Sequence, residues 1–233
     1  MLLLGLVETS LELVSEEMVQ HSSVLRTAKA RGKEPAHLLL DEAVFPKVVQ
    51  ALSTSEKRGR PDIAHRSLLI ALDSVLAQNE QLQVFVHTIA DQVIQIRPGT
   101  RLPRREARFV GLIEQLLQAG RVPQSGSPLL ELYAGTLEKY LNELTPSRTI
   151  VLTPTGTPMT PLALAKTLVS EARPLVLVGG FAHGELSTRI TDLANETVSL
   201  HPEFLPTSTI VGMIIHNLET ALNLETDQTK GPE

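Results

Sequence analysis

Residues 175–184 read LVLVGGFAHG, and this stretch decides the fold. An unbroken apolar run followed at once by two glycines is typical of a parallel strand that is covered on both faces and ends in a tight loop. Short strands and helices alternate on both sides of it, at 149–153, 161–171, 185–194, 197–200 and 207–223. This alternation predicts an α/β fold with a parallel sheet. Thr207 or Ser208 is expected to cap the last helix.

The N-terminal half has a more mixed pattern. Residues 1–7, MLLLGLV, predict a buried first strand, and a helix is expected to begin at Ser10. Residues 20–37 are polar and are expected to be irregular. Helices are predicted over 63–77 and, with apolar residues at helical spacing, from Pro103 to a cap at Gly120.

Two alternating stretches, 82–88 and 92–96, predict a hairpin between those helices. The chain has neither repeats nor low-complexity tracts. We therefore expect a single domain over residues 1–233, with an inserted segment at about 20–100 and a polar tail from about 224.

Composition excludes several kinds of function. The 233 residues include no cysteine, so disulfides, thiolate zinc sites and cysteine nucleophiles are impossible, and no metal is expected. No apolar run is long enough to cross a bilayer, so we expect no membrane association. The absence of cysteine fits a reducing interior, and we expect the protein in the cytoplasm. A formal net charge of −5 argues against coating nucleic acid through a global positive field, although a local basic patch can still bind a specific anion.

Arginines are concentrated between residues 97 and 108, where Glu106 is the one acid. In a helix that starts near Pro103, Arg104 and Arg108 are four residues apart and Arg101 lies one turn before, so all three side chains can point the same way. Such a row of guanidinium groups suits phosphates and base edges, which predicts an RNA contact. The alternative is a solvated helix face.

The segment Arg60-Pro61-Asp62 is a second candidate. Proline fixes the backbone between the two charged residues, so Asp62 can orient Arg60 by a charge-assisted hydrogen bond and leave its other donors for a substrate. Alternatively, Asp62 caps the helix that begins near Ile63.

Two loops at the carboxyl ends of predicted parallel strands form the third candidate. Gly179 to Gly184 follows one strand, and Leu200 to Leu205 follows the next. Ligands bind at such ends of open α/β sheets, and two loops with few charges suit a neutral, adenosine-like cofactor. The glycine spacing is not that of a dinucleotide site, and tight turns without a ligand are the alternative.

Five motifs in this order resemble the ribosome-biogenesis pseudouridine methyltransferases of the SPOUT superfamily. They are EKRGRPDI at 56–63, VHT at 86–88, RLPR at 101–104 continuing to RFVGL at 108–112, GRVP at 120–123 and GGFAHG at 179–184. The resemblance implies a SPOUT-type parallel sheet with a deep trefoil knot near the C-terminus, a homodimer, and S-adenosylmethionine bound in the knotted loops.

It also implies methylation of ring nitrogen 1 of a pseudouridine in a small-subunit ribosomal RNA hairpin. By motif match, RNA would be contacted by Arg60, Arg101, Arg104 and Arg108, and Asp62 would steady Arg60. The cofactor site would be lined by Gly179, Gly184, Leu200, His201, Pro202, Glu203, Phe204 and Leu205. We hypothesise that Arg60 or Asp62 assists the loss of a proton. The alternatives are a SPOUT methyltransferase acting on another RNA base, and an rRNA-binding assembly factor with a secondary methylation role.

Overall fold

A computed structural model describes residues 1–224, and its strands form one sheet. In chain order the strands are β1 (Leu2–Thr9), β2 (Leu82–Thr88), β3 (Val93–Ile96), β4 (Arg121–Val122), β5 (Leu130–Leu132), β6 (Arg148–Pro158), β7 (Pro174–Gly179) and β8 (Glu196–Ser199). Their order across the sheet is β4-β5-β3-β2-β1-β7-β6-β8.

The sheet has a parallel part and an antiparallel part. From β2 through β1, β7 and β6 to β8, every neighbouring pair is parallel. Beyond β2 the pairs β2–β3, β3–β5 and β4–β5 are antiparallel, so β2 and β3 form the two arms of a hairpin. The predicted α/β class and the buried central strand at 175–178 are confirmed.

Helices cover both faces of the sheet. They are α1 (Ser22–Arg31), α2 (Pro46–Gln50), α3 (Pro61–Leu72), α4 (Val75–Gln78), α5 (Glu106–Ala119), α6 (Leu137–Leu144), α7 (Pro161–Val169), α8 (Thr188–Thr191) and α9 (Thr207–Ala221). Along β1, Leu4 packs into the core beneath α3, α5, α7 and α9, whereas Leu3 packs with α6 and α8 on the other side. This alternation follows from the two-residue period of a strand, and it requires β1 to be buried throughout.

The helix predicted from Ser10 is wrong. Residues 11–14 are extended, because Val14 N–H donates to Leu38 O at 2.8 Å and Leu40 N–H donates to Glu12 O at 2.9 Å. The prediction of irregular chain at 20–37 is also wrong, since α1 occupies most of it. Helix α1 contributes Val24 to a small separate core that also includes residues 38, 40 and 45.

Three predicted helices differ in extent. The helix expected over 63–77 is divided into α3 and α4, whose boundary lies at Ser74, the residue that caps α4 through its side chain. The polar helix expected at 185–194 is reduced to the single turn α8. Thr207 begins α9 but does not cap it: the cap position is Pro206, and the Thr207 hydroxyl donates to Gly179 O instead. The tail predicted from about 224 lies outside the described residues.

Helices long and apolar enough to cross a membrane do not occur in residues 1–224.

Candidate functional site

A cleft opens at the carboxyl edge of β6, β7 and β8, where the loops after these strands meet. Its empty space, counted out to the open mouth, is about 660 Å³, within the range of small-molecule sites. It is lined by Leu152, Thr153, Pro154, Val178, Gly179, Phe181, Ala182, Gly184, Glu185, Leu186, Val198, Leu200, His201, Glu203, Phe204, Leu205, Thr207 and Ile210.

The structure brings together most of the predicted cofactor residues. Of the eight, Pro202 alone does not line the cleft; the other seven are Gly179, Gly184, Leu200, His201, Glu203, Phe204 and Leu205. Residues 152–154 form a third wall of the cleft, beside the two predicted loops, and they were not among the predicted cofactor residues. A signal for it exists, because the predicted strand at 149–153 ends at the same sheet edge as its two parallel neighbours.

The glycine loop is held tightly against the end of β1. Gly180 N–H donates to Val7 O at 2.8 Å, and Gly180 O accepts from Ser10 N–H at 3.0 Å. A Cβ at Gly180 would lie 2.3 Å from Thr9 Oγ1, and Gly184 has φ +101°, so these two positions require glycine. The loop conformation is therefore fixed by the fold around it.

The cleft walls are mainly apolar, with acidic groups near the mouth. Its lining, as far as the chain is described, includes the carboxylates Glu185 and Glu203 but neither lysine nor arginine. The backbone N–H groups of Ala182 and Leu205 donate to no acceptor within residues 1–224. The cleft therefore suits a ligand with a flat, mostly apolar part, hydrogen-bond acceptors and a positive charge.

A buried ion pair joins the glycine loop to the segment that carries Arg60. The Glu8 carboxylate accepts hydrogen bonds from Lys57 Nζ at 2.8 Å and from Ser187 N–H at 3.1 Å. Lys57 Nζ also lies 4.7 Å from the centre of the Phe181 ring. Burial raises the pKa of Glu8, but its bonds with Lys57 and Ser187 outweigh that effect and hold the pKa below the ordinary 4.5. Glu8 is thus a stable anion at neutral pH.

Arg60 and Asp62 form the pair that their spacing predicts. Arg60 Nε and Nη2 donate to the two Asp62 oxygens at 2.8 and 2.9 Å, and Arg66 contacts the same carboxylate. Arg60 Nη1 has no hydrogen-bond partner within residues 1–224. The N-terminus of α3 has no side-chain cap, because Arg60 holds the cap position and Asp62 lies inside the first turn. Burial raises the pKa of Asp62, but the hydrogen bond and charge of Arg60 outweigh this effect, so the pKa lies below the ordinary 3.8.

The predicted row of arginines on one helix is wrong in its geometry. Helix α5 begins at Glu106, so Arg101 and Arg104 precede it in non-helical chain, and Arg108 alone lies on its first turn. All three are exposed, and Arg104 Nη1 contacts Asp73 at 2.6 Å. A surface ion pair of this kind is weak, so Arg104 can exchange Asp73 for another anion.

The non-helical segment is nevertheless fixed in place. His65 Nε2 hydrogen-bonds to Pro103 O at 2.7 Å, and the His65 ring stacks on Phe109 with 4.5 Å between ring centres. His65 is buried, as expected for a core histidine. It ties the arginine-bearing segment to α3, the helix that begins beside Arg60.

These features define an α/β protein with a small-molecule cleft at the carboxyl edge of a parallel sheet and with exposed arginines at and just before the start of α5. Residues 4–219 match the family model described as EMG1/NEP1 methyltransferase. The chain belongs to the EMG1/NEP1 methyltransferase family, which confirms the resemblance seen in its motifs.

Relatives of nearly equal length support this assignment. The chain is 39% identical over 212 residues to the ribosomal RNA small subunit methyltransferase Nep1 of Pyrococcus furiosus, covering 91% of this chain and 93% of that protein. It is 39% identical over 219 residues to the Thermococcus onnurineus protein of the same description, covering 94% and 98%. The crystal structure of Archaeoglobus fulgidus Nep1 bound to S-adenosylhomocysteine matches with a TM-score of 0.84 at 29% identity, covering 94% of this chain and 98% of that one.

Proposed function

We propose that this chain transfers a methyl group from S-adenosylmethionine to small-subunit ribosomal RNA in the cytoplasm, during ribosome biogenesis, and that the acceptor is ring nitrogen 1 of a pseudouridine. The observation that carries the proposal is the cleft at the carboxyl edge of β6, β7 and β8, in a chain of this family. The related Archaeoglobus fulgidus protein was crystallised with S-adenosylhomocysteine, the product that this cofactor leaves after methyl transfer.

The residues of the cleft fit this cofactor. Leu200, Leu205 and Ile210 supply apolar surface for the adenosine, and the unused N–H groups of Ala182 and Leu205 supply donors for its polar atoms. Carboxylates near the mouth complement the positive sulfonium. When bound, S-adenosylmethionine supplies an electrophilic methyl group.

Arg60 and Asp62 take different roles in this proposal. Asp62 already accepts hydrogen bonds from Arg60 and Arg66, and its pKa is lowered, so it is a poor proton acceptor. Its task is to orient Arg60. The free Nη1 of Arg60 can then stabilise negative charge that develops on a carbonyl oxygen of the uracil ring as nitrogen 1 releases its proton to water. Arg101, Arg104 and Arg108 hold the RNA around this point.

The proposal includes the finer architecture that the family resemblance implies. We propose a single domain over residues 1–233 with a segment at about 20–100 inserted, a trefoil knot near the C-terminus, and a working homodimer. The segments that would form the knot lie in close contact around the cleft. A Cβ at Gly156 would lie 2.6 Å from the backbone of Val198, and the Thr207 hydroxyl donates a hydrogen bond to Gly179 O at 2.8 Å.

Calorimetry with S-adenosylmethionine and S-adenosylhomocysteine tests the cofactor first. We expect both to bind the wild type, and we expect Ala182→Trp, which fills the cleft, to abolish binding. Val44→Trp serves as the control, because Val44 is exposed and is absent from the cleft lining. If neither compound binds the wild type at high concentration, the protein is not this enzyme.

Two RNA hairpins that differ in one nucleotide test the substrate. One carries pseudouridine in its loop and the other carries uridine, and each is incubated with protein and S-adenosylmethionine before mass spectrometry. We expect methylation of the pseudouridine hairpin alone, because nitrogen 1 of uridine is bonded to the ribose. Equal methylation of both would place the acceptor on another atom and refute the pseudouridine specificity.

A further inference from the structure

A second large concavity lies between α1 and α5, and it shares no residue with the cofactor cleft. This α1–α5 groove is open and has about 1050 Å³ of empty space. It is lined by Ala28, Lys29, Gly32, Lys33, Glu34, His37, Gly111, Gln115 and Gln118. The lining is mostly polar and rich in hydrogen-bond donors, which suits a polar ligand.

The two lysines that line the groove, Lys29 and Lys33, outnumber its one lining acid, Glu34, in a chain whose formal net charge is −5. Helix α1 has no acidic residue but carries Arg26, Lys29 and Arg31. The fully buried Glu114 accepts hydrogen bonds from Arg31, at 2.8 and 2.7 Å, and also from Lys33. Two cations on one carboxylate leave a net positive charge, and their side chains are 35% and 34% exposed. Glu114 thus holds two cations in fixed positions beside the groove.

No contact among the described residues requires a glycine at position 111. It lies inside α5, where glycine weakens a helix relative to alanine. A Cβ built on it meets no atom within 4 Å, so neighbouring side chains do not exclude a larger residue. The same residue is part of the RFVGL motif, and its bare backbone opens directly into the groove. The free space is available to a ligand that approaches the helix closely.

The groove continues the surface that carries Arg108. Arg108, Gly111, Gln115 and Gln118 fall on one face of α5. They span about 15 Å along the helix axis, at 1.5 Å per residue. A strip of this length that begins at an exposed arginine suits an extended anion with repeated charges, whereas a compact anion would occupy only one end of it.

We propose that the α1–α5 groove binds the sugar-phosphate backbone of the RNA stem next to the methylated loop. This inference rests on the proposed function and adds a substrate contact to it. Lys29 and Lys33 face phosphates, Gln115 and Gln118 donate to phosphate or ribose oxygens, and Gly111 lets the strand lie close to α5. Specificity does not come from this surface, because backbone contacts position RNA without reading its sequence.

Two hairpins with the same pseudouridine loop test the groove, one with a short stem and one with a stem longer by a helical turn. In Lys29→Ala we expect roughly fivefold weaker binding of the long stem, and a slope of log K against log salt that is smaller by about 0.7–0.9, as for one lost phosphate contact. Binding of the short stem and its methylation rate are expected to stay at wild-type values. Lys166→Ala, an exposed lysine on α7, is the control and should change neither.

Gly111→Ala separates a lost contact from a damaged fold. Alanine favours the helix, so the variant is expected to melt at a higher temperature, yet to bind the long stem more weakly than wild type. Wild-type affinity for the long stem in both variants would overturn the proposal while leaving methylation intact. Equal losses on both stems would also overturn it, since the contact would then lie at the loop. A wild type that binds neither hairpin would refute the proposed function as well.

Discussion

Replacing Glu114 tests whether one buried carboxylate fastens α1 to α5. Its side chain is inaccessible to solvent, and its oxygens accept hydrogen bonds from Arg31 and Lys33. A third donor is the buried backbone N–H of Leu39, at 3.1 Å. Glu114→Ala removes the acceptor of all three donors at once, whereas in Glu114→Gln the amide oxygen can still accept from Leu39.

The expected cost follows from the exposure of each partner. Breaking a fully buried ion pair costs about 3–5 kcal/mol, but Arg31 and Lys33 are one-third exposed and can turn to water, so their part is nearer 1 kcal/mol. The N–H of Leu39 cannot reach water, and losing its acceptor costs about 1–3 kcal/mol. We therefore expect the free energy of unfolding to fall by about 3 kcal/mol in Glu114→Ala and by about 1 kcal/mol in Glu114→Gln.

Urea denaturation followed by circular dichroism measures both values. Glu106→Ala is the matched control, because Glu106 is exposed on the first turn of the same helix, and we expect a change within about 0.5 kcal/mol. Equal losses in the alanine and glutamine variants would show that Leu39 does not depend on Glu114. Wild-type stability of Glu114→Ala would refute the idea that this carboxylate fastens α1.

Three further predictions concern the site. In Asp62→Asn, Arg60 loses its bidentate partner, so single-turnover methyl transfer should fall roughly tenfold or more while cofactor binding stays intact; full activity would end the orienting role. In Gly156→Ala, a Cβ 2.6 Å from the Val198 backbone should lower stability by about 2 kcal/mol in thermal denaturation, and an unchanged melting temperature would contradict this. Glu8→Gln should cost less stability as the pH falls below 4.5. The pKa of Glu8 is lowered in the folded protein, so its ionised carboxylate stabilises the fold above pH 4.5, and this contribution is lost as acid protonates it. A stability difference that does not change with pH would count against this.

The parallel strands were predictable because their signal is local. Residues 175–178 are buried on both faces of the sheet, and a continuous apolar run in the sequence predicts this. Helix α1 gave no such signal: Val24 and Ala28 are its buried residues, and the rest of it is exposed or partly exposed and mostly polar. Its position depends on Arg31 and the distant Glu114, a tertiary contact that no local pattern contains.

In the candidate site, too, the parts that follow a local sequence pattern were predictable and the parts set by tertiary contacts were not. The glycine loop follows a clear strand, so its place at the sheet edge could be predicted. The wall at 152–154 was missed because β6 continues to Pro158, past the expected end of the strand, and shifts its register against β8 on the way. The start of α5 was misplaced because Pro103 is a strong helix-start signal, yet its carbonyl is used by His65.

Glu8 connects the glycine loop to the segment that carries Arg60. Its φ is +48°, a left-handed conformation that costs free energy for any residue except glycine. A glycine there would remove the strain but also the carboxylate that binds both Lys57 and Ser187. Lys57 is followed three residues later by Arg60, and Ser187 lies three residues after Gly184, the end of the glycine loop. The strain at Glu8 is therefore offset by its contacts, because one buried anion holds together two segments that lie far apart along the chain.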